Sequence, residues 1–447
     1  MLTGPHLCWK NNLEKRYIAL MFPVKRSKIR GNMPKPSAPR RNFMRTPGVK
    51  DSSYLRGGLM HENEKYPGVP ERIQLMDENG KVHENPTFSS YVHDVDAEQL
   101  REAYRLMYIT RRIDDEGTAL QRQGQMALWA PSRGQEAAQV GSALAFAPND
   151  YIFPSYREHA VAFARGVDFR ELITVFRGSH THGWDPKKHN FHVYTKVLAA
   201  QVPHAVGYAM GLNFDADIAA ETGQLQTGQG QATNPDNDTV KPAVGVYFGD
   251  GSSTEGEAHE AMVFAASYDA PVLFFVQNNR WAISVPFDVQ SRVPISTRAQ
   301  GYGFEGLRVD GNDVLGTLAV TRYALDKIRR GEGPVLIEAE TYRLGPHTTA
   351  DDPTKYRDDE ELQQRLNADP LIRLEKYLRE NGHADDAFFE KLAEEAQELA
   401  NGVREAAIAS EPYEFDRFFD RAYAEEHLQV EEEREFYRNY VAGFEED

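Results

Sequence analysis

Residues 243–279 read AVGVYFGDGSSTEGEAHEAMVFAASYDAPVLFFVQNN and carry the clearest structural pattern of the chain. The unbroken apolar run at 243–248 is typical of a strand that is buried on both faces of a parallel sheet. After a glycine turn, the pattern predicts a helix that Thr254 caps and that ends near Tyr268, followed by a second apolar strand at 272–276. The stretch therefore predicts a β-α-β unit and, with it, an α/β fold.

Polar residues follow both predicted strands. Gly249-Asp250-Gly251 comes after the first strand, and Asn278-Asn279 comes after the second. Because a right-handed crossover makes the two strands parallel, their carboxyl ends lie at the same edge of the sheet. Asp250 and Asn279 can converge there, beside the positive N-terminal end of the intervening helix. Two hard oxygen ligands in this setting predict a Mg²⁺ or Ca²⁺ ion that carries a diphosphate.

The same alternation continues on both sides of this unit, so we expect a mostly parallel sheet flanked by helices. Helices are predicted from Asp96 and over 135–146, 160–177, 198–214 and 313–330, and strands over 150–155, 307–309 and 335–340. The predicted organisation is a basic, disordered extension at 1–60, a connecting segment at 61–95, a catalytic domain at 96–375 with a flexible insertion at 219–241, and an acidic helical C-terminal region at 376–447.

Composition excludes several classes of protein. The 447 residues contain 51 Lys and Arg against 68 Asp and Glu, a formal net charge of −17, which argues against non-specific nucleic-acid binding. The single cysteine, Cys8, excludes a disulfide framework and a cysteine-based zinc site. No apolar run reaches the roughly 18–20 residues that a membrane helix needs. The basic stretch at 1–50 lacks a secretory signal pattern, so we expect a cytoplasmic protein.

Other interpretations of the same residues remain open at this point. Asp250 and Asn279 also suit ordinary turns, because Gly-Asp-Gly and Asn-Asn favour them. A nicotinamide dehydrogenase is disfavoured, since Thr254 stands where the third glycine of a dinucleotide fingerprint belongs. A zinc cluster is a further alternative, with four candidate ligands: His180, His182, His189 and His192.

Seven segments in order resemble the α subunit of 2-oxo acid dehydrogenase E1 components, which are thiamine-diphosphate enzymes. The central one has the GDG-x26-NN form of the cofactor motif. The resemblance covers roughly 95–375 outside the insertion, and the segments are GQEAAQVGSAL (134–144), FPSYRE (153–158), LAAQVPHAVG (198–207), GDGSSTEGEAHEA (249–261), VQNNRWAISVP (276–286), GYGFEGLRVDGNDV (301–314) and TYRLGPHTTADDPTKYR (341–357). It implies a thiamine-diphosphate-binding fold.

The resemblance also implies roles for individual residues. Asp250 and Asn279 would bind Mg²⁺ through their side chains, and Trp281 would bind it through its main-chain carbonyl. His347 would be catalytic, reaching the diphosphate and the reacting centre. The thiamine diphosphate would be held by Tyr156, Arg157, Leu198, Gly249, Asp250, Gly251, Ser252, Asn279, Trp281, Ala282 and His347.

Some positions depart from the pattern or stay undecided. Lys196-Val197 replaces a common Ser-Pro pair and Ala200 replaces a hydroxyl residue, so the potassium site of some relatives stays undecided here. Gln277 stands where some relatives have arginine, which removes one phosphate contact. Leu128 and Trp129 line the substrate pocket beside Tyr156 in one interpretation and belong to the core in another of equal weight.

The function that the resemblance implies is that of an E1 α subunit. It would carry out thiamine-diphosphate-dependent oxidative decarboxylation of a 2-oxo acid and transfer the acyl group to the lipoyl group of an E2 acyltransferase. FPSYREHAVAFA (153–164) and LGPHTTADDPTKYR (344–357) favour a branched-chain, 2-oxoisovalerate-type substrate over pyruvate or acetoin. The activating glutamate would come from a β subunit, so we expect an α2β2 heterotetramer. A non-catalytic regulatory subunit is the alternative from a different class.

Overall fold

A parallel sheet lies at the centre of the described chain, which in this computed structural model comprises residues 68–179, 183–222, 240–411, 415–420 and 423–444. The strands in these ranges are β1 (Arg72–Ile73), β2 (Tyr151–Phe153), β3 (Val244–Gly249), β4 (Val272–Asn278), β5 (Trp281–Ala282), β6 (Val285–Pro286), β7 (Glu305–Asp310) and β8 (Val335–Glu340). Six of them form the sheet, in the order β1-β7-β8-β4-β3-β2 with every neighbouring pair parallel, and β5 and β6 form a separate antiparallel hairpin.

Helices connect these strands and continue beyond the last of them. Asp96 begins the first helix with a capping box, in which its side chain accepts a hydrogen bond from the Gln99 N–H at 2.9 Å. The α-helices are α1 (Ala97–Arg122), α2 (Glu136–Ala143), α3 (His159–Ala164), α4 (Phe169–Arg177), α5 (Pro186–His189), α6 (Gln201–Thr222), α7 (Gly256–Ser267), α8 (Phe287–Gln290), α9 (Arg298–Tyr302), α10 (Val314–Arg329), α11 (Asp359–Leu366), α12 (Pro370–Glu380), α13 (Asp386–Ala409) and α14 (Leu428–Ala442).

The sheet is buried on both faces. Successive side chains of a strand point to opposite faces, and β3 shows the consequence. Val246 and Phe248 pack in a cluster with residues of α6 and α7, whereas Tyr247 packs in a second cluster with residues of α1, α2 and α10. The predicted α/β fold, with a parallel sheet flanked by helices and a helical C-terminal region, is confirmed.

The strand register brings three loops to the same edge of the sheet. Gly249 is paired with Gln277, and Asn278 is paired with Glu340, so β3, β4 and β8 end at nearly the same level. Adjacent strands lie about 4.8 Å apart. The residues that follow these strands, among them Asp250 and Asn279, therefore emerge side by side, as the sequence predicts.

Two helix predictions were wrong in detail. The helix predicted over 160–177 is divided, because Gly166 adopts a left-handed conformation (φ 80°) and Asp168 caps a new helix, α4. Thr254 does not cap α7. A 3-10 turn over Ser252–Thr254 comes first, and the Thr254 hydroxyl donates to the Gly251 carbonyl at 2.7 Å.

One further helix boundary differs from the prediction, and two predicted segments lie wholly or largely outside the described residues. Helix α6 continues to Thr222, four residues into the predicted insertion, and 223–239 lie outside the described residues. The predicted basic extension at 1–60 lies outside them as well. Among the described residues, no helix combines the length and the apolar character that crossing a bilayer requires.

Candidate active site

A cavity of about 600 Å³ opens at the carboxyl edge of the sheet. Side chains and glycines from the loops after β2, β3, β4 and β8 contribute to its wall. The lining residues include twelve that the sequence singled out: Leu128, Tyr156, Arg157, Leu198, Gly249, Asp250, Gly251, Ser252, Asn279, Trp281, Ala282 and His347. The topology thus gathers at one place residues that lie up to 219 positions apart, from Leu128 to His347.

Asp250 is a buried carboxylate that forms no ion pair within the described part of the chain. It is 2% exposed, and no Lys or Arg of the described chain forms an ion pair with it. Its Oδ2 accepts one hydrogen bond, from Gln290 Nε2 at 2.8 Å. Burial raises the pKa of this carboxyl group above its usual value. A divalent cation would relieve this cost, so the environment of Asp250 fits a metal ligand.

Asn279 and Trp281 offer neutral oxygens beside it. Asn279 Nδ2 donates to Gln135 Oε1 at 3.2 Å, which orients the amide, and Asn279 Oδ1 accepts from the Trp281 N–H at 3.2 Å. The Trp281 carbonyl accepts from Arg343 Nη1 at 3.0 Å. Each of these oxygens has a second lone pair. Together with Asp250 they form a set of oxygen donors that suits Mg²⁺.

The glycine turn lies close to the β5–β6 hairpin. A Cβ atom on Gly251 would lie 3.0 Å from the Ala282 Cβ, so glycine is needed for this close approach. The first N–H groups of a helical turn have no acceptor within the turn. Those of Gly251 and Ser252, at the start of the 3-10 turn, can therefore bind an anion in the cavity.

Arg157 is a buried cation that no carboxylate of the described residues neutralises. It is 5% exposed, and its Nη1 donates to the Pro131 carbonyl at 2.5 Å. Its Nη2 donates to the His347 carbonyl at 2.9 Å and lies 3.2 Å from His347 Nδ1. These acceptors are neutral, and within the described ranges no carboxylate lies within ion-pair distance of the guanidinium. Arg157 therefore retains a charge that a phosphate group can neutralise.

His347 is a neutral imidazole whose tautomer follows from its neighbour. Burial, reinforced by the positive charges of Arg157 and Arg343, lowers the pKa of His347 to about 3. Because a guanidinium only donates, Nδ1 must accept from Arg157, and the ring proton must be on Nε2. His347 is thus prepared to donate a hydrogen bond from Nε2.

Hydrogen bonds order the loop that carries His347. Asp351 Oδ2 accepts from the His347 N–H at 2.8 Å and also from the Tyr356 hydroxyl. That hydroxyl accepts from Arg343 Nη2 at 2.8 Å. Arg357 Nη1 donates to the Arg343 carbonyl at 2.7 Å. Arg343, Tyr356 and Arg357 therefore order this loop through a connected set of hydrogen bonds.

Leu128 and Trp129 have different environments. Leu128 lines the cavity, whereas Trp129 does not. Trp129 is fully buried, donates from Nε1 to Asp114 Oδ1 at 3.0 Å and stacks on His159 with ring centroids 4.5 Å apart. Trp129 is therefore a core residue, which was one of the two interpretations of the sequence.

Several lining residues were missed from the sequence. Gln277, noted only as a lost phosphate contact, donates to Glu158 Oε1 at 2.6 Å and accepts from Gln139 at 3.0 Å. Glu158 could have been suspected because it follows Arg157 directly. Gln290 had no signal, since it follows Asp250 by 40 residues and belongs to a four-residue helix.

The zinc alternative finds no support in the part of the chain that is described. His180 and His182 lie outside it. His189 Nδ1 lies 3.1 Å from the Arg165 carbonyl. No group of three or more His, Cys, Asp or Glu side chains in the described ranges could hold a metal ion.

Comparison with known proteins identifies the family. The family model described as dehydrogenase E1 component matches residues 104–415. The 3-methyl-2-oxobutanoate dehydrogenase subunit alpha of Mycobacterium tuberculosis H37Rv is 39% identical over 83% of this chain and 95% of its own length. The 2-oxoisovalerate dehydrogenase subunit alpha of Bacillus subtilis 168 is 35% identical over 68% of this chain and 89% of its own. The pyruvate dehydrogenase E1 component subunit alpha of Staphylococcus aureus N315 is 36% identical over 70% of this chain and 78% of its own length.

The chain therefore belongs to the dehydrogenase E1 component family, among the α chains of 2-oxo acid dehydrogenases. The predictions of an E1 α chain and of an enzyme are confirmed. The family is in general thiamine-diphosphate-dependent.

Proposed function

We propose that this chain binds thiamine diphosphate and Mg²⁺ in the cavity and, together with a β subunit, decarboxylates a branched-chain 2-oxo acid oxidatively. One observation carries the proposal: the cavity holds a buried carboxylate, Asp250, and a buried guanidinium, Arg157, each without an ion-pair partner in the described chain. A magnesium diphosphate presents a cation to the first group and an anion to the second. Both charges would then be compensated.

Each role follows from the environment of the residue. Asp250, Asn279 and the Trp281 carbonyl would hold Mg²⁺, and Arg157 beside Tyr156 would bind the diphosphate. His347, neutral over the physiological range, would donate its Nε2 proton to an oxygen at the reacting centre. When bound, thiamine diphosphate supplies the carbon nucleophile and the electron sink for the loss of CO2.

The relatives and the wall of the cavity both support the branched-chain assignment. The relatives named for 3-methyl-2-oxobutanoate and 2-oxoisovalerate are 39% and 35% identical to this chain, and the one named for pyruvate is 36% identical. The match to the mycobacterial chain covers the larger share of both sequences. Leu128, Phe176 and Leu198 provide an apolar wall that suits a branched side chain.

A β subunit is the proposed partner, in an α2β2 heterotetramer that passes the acyl group to a lipoylated E2 acyltransferase in the cytoplasm. The relatives are themselves named as subunits. Five apolar residues at or next to the cavity are between 41% and 72% exposed, which favours a covering partner: Val197, Leu198, Ile283, Val285 and Val289.

The test is to co-express the chain with a β subunit of the same family and to measure dye reduction with 3-methyl-2-oxobutanoate and with pyruvate. We expect the branched substrate to give the higher kcat/KM and the chain alone to give no turnover. Equal or higher kcat/KM with pyruvate would contradict the substrate assignment. Decarboxylation by the chain alone would refute the need for a partner.

A further inference from the structure

Lys196 is a second cation at the cavity. Its backbone is held beside the loop after β2, because the Thr195 N–H donates to the Ser155 carbonyl at 2.9 Å. Its side chain lines the cavity, and Nζ lies 5.7 Å from the centroid of the Phe176 ring. Lys196 therefore stands at the apolar wall, whereas Arg157 is tied to His347.

The ammonium group of Lys196 has no partner of opposite charge among the described residues. Among the described residues, no Asp or Glu forms an ion pair with it and no acceptor forms a hydrogen bond with it. Three carboxylates line the cavity: Glu158, which accepts from Ser155 and Gln277, Asp250, which accepts from Gln290, and Glu255, which forms no ion pair with Lys196. Lys196 is an exposed residue, and partial desolvation at the cavity lowers the pKa of its ammonium group.

The reaction brings two anions into this cavity. One is the diphosphate of the cofactor, for which the proposed partner is Arg157. The other is the carboxylate of the 2-oxo acid, which must enter together with an apolar side chain. Leu128 and Phe176 offer an apolar surface to that side chain, and Lys196 offers a cation beside it.

We propose that the Lys196 ammonium binds the carboxylate of the 2-oxo acid substrate and so selects acids over neutral carbonyl compounds. This inference rests on the proposed function. Binding of this kind acts on the substrate before CO2 leaves, so its loss raises the KM for the acid and leaves kcat nearly unchanged. A hydrogen bond to a charged group predicts an increase of about tenfold.

The experiment uses Lys196→Met in the co-expressed αβ enzyme at saturating cofactor. The KM for 3-methyl-2-oxobutanoate is measured together with the inhibition constants of two matched competitors, 2-hydroxy-3-methylbutanoate and its amide. We expect the KM and the inhibition constant of the acid to rise about tenfold and that of the amide to change less than twofold. Lys196→Arg should restore most of the affinity for the acid.

Lys188→Met, at an exposed lysine that does not line the cavity, is the matched control and should change nothing. If Lys196→Met does not assemble with the β subunit, Lys196→Gln takes its place. Each of three results would overturn the inference: an unchanged KM, an equal loss of affinity for the acid and for the amide, or a tenfold weaker binding of thiamine diphosphate. Failure of the proposed function is distinct, because the unmodified enzyme would then turn over no 2-oxo acid.

Discussion

Asp250 and Arg157 carry opposite charges in one cavity, and neither has an ion-pair partner among the described residues. A protein that is selected only for stability has no use for such groups, since an uncompensated buried charge is costly. Charged groups that are stabilised only when a ligand binds are typical of binding and catalytic sites. The two charges of the cavity are therefore better compensated when a ligand is bound than when the cavity is empty.

Asp250→Asn should separate stability from binding. The substitution removes the buried charge while leaving an oxygen to accept from Gln290, so the melting temperature of the cofactor-free chain should rise by about 2 °C or more. Magnesium-dependent binding of thiamine diphosphate should weaken roughly a hundredfold. Thermal unfolding and a cofactor titration measure the two effects. The control is Asp288→Asn, at an exposed aspartate of the same region. A lower melting temperature for Asp250→Asn than for the unmodified chain would argue against an uncompensated charge at Asp250.

His159 should account for part of the loss of folding stability at acidic pH. It is fully buried between Tyr194 and the Ala130 carbonyl, and burial lowers its pKa to about 3. In the unfolded chain the pKa of this histidine is near 6.5. The buried neutral imidazole therefore makes its full contribution to the free energy of unfolding above pH 6.5, and this contribution is lost as the pH falls towards 3. At pH 5 the loss is about 2 kcal/mol in the free energy of unfolding.

His159→Gln removes this titration. The variant should be less stable than the unmodified chain at pH 7.5, because the imidazole contacts are lost, but the difference should narrow by about 2 kcal/mol at pH 5. Urea unfolding at the two pH values measures it, with His204→Gln at an exposed histidine as control. A constant difference between the two pH values would show that His159 does not titrate as described.

At the scale of elements, three of the loops that form the site, those after β3, β4 and β8, meet because the three strands end together. The sequence was sufficient to predict this part, since an apolar run marks a buried strand and the polar residues after it mark its end. The same reasoning could not predict Gln290, whose contact with Asp250 depends on the short hairpin β5–β6 and on α8.

The start of α7 shows why the ends of helices are harder to predict than their existence. Thr254 has the side chain of a capping residue, yet its hydroxyl donates to the Gly251 carbonyl. Local hydrogen bonds of this kind compete with capping, and the sequence does not indicate which will form. The environment of Trp129 was also hard to predict from the sequence. Its contacts with Asp114 and His159 in the core join segments that are separated along the chain.

The loop after β8 should depend on the Tyr356 hydroxyl. Tyr356→Phe removes the group that links Arg343 to Asp351, so the loop should become more mobile. Trypsin should cleave after Lys355 several times faster in the variant, and mass spectrometry of the fragments measures this. Tyr268→Phe, at a half-exposed tyrosine of another region, should leave the rate unchanged. Equal rates for all three proteins would mean that the hydroxyl does not order the loop.

At the scale of the whole molecule, the exposed apolar residues near the cavity should become covered in the assembled enzyme. Hydrogen–deuterium exchange should slow in peptides containing 195–200 and 283–290 when the β subunit is present. A peptide around Ile408, which is also exposed, serves as the control and should not change. Protection at Ile408 without protection at 283–290 would place the partner on another surface.

The most direct test of the central claim is the position of the metal. Crystals of the αβ enzyme grown with thiamine diphosphate and Mn²⁺ in place of Mg²⁺ would reveal the ion by anomalous scattering. We predict a peak about 2.0–2.3 Å from an Asp250 carboxylate oxygen and from Asn279 Oδ1, with the diphosphate on the side of Arg157. Cofactor bound without a metal peak between Asp250 and Asn279, or a peak held by other residues, would contradict the account.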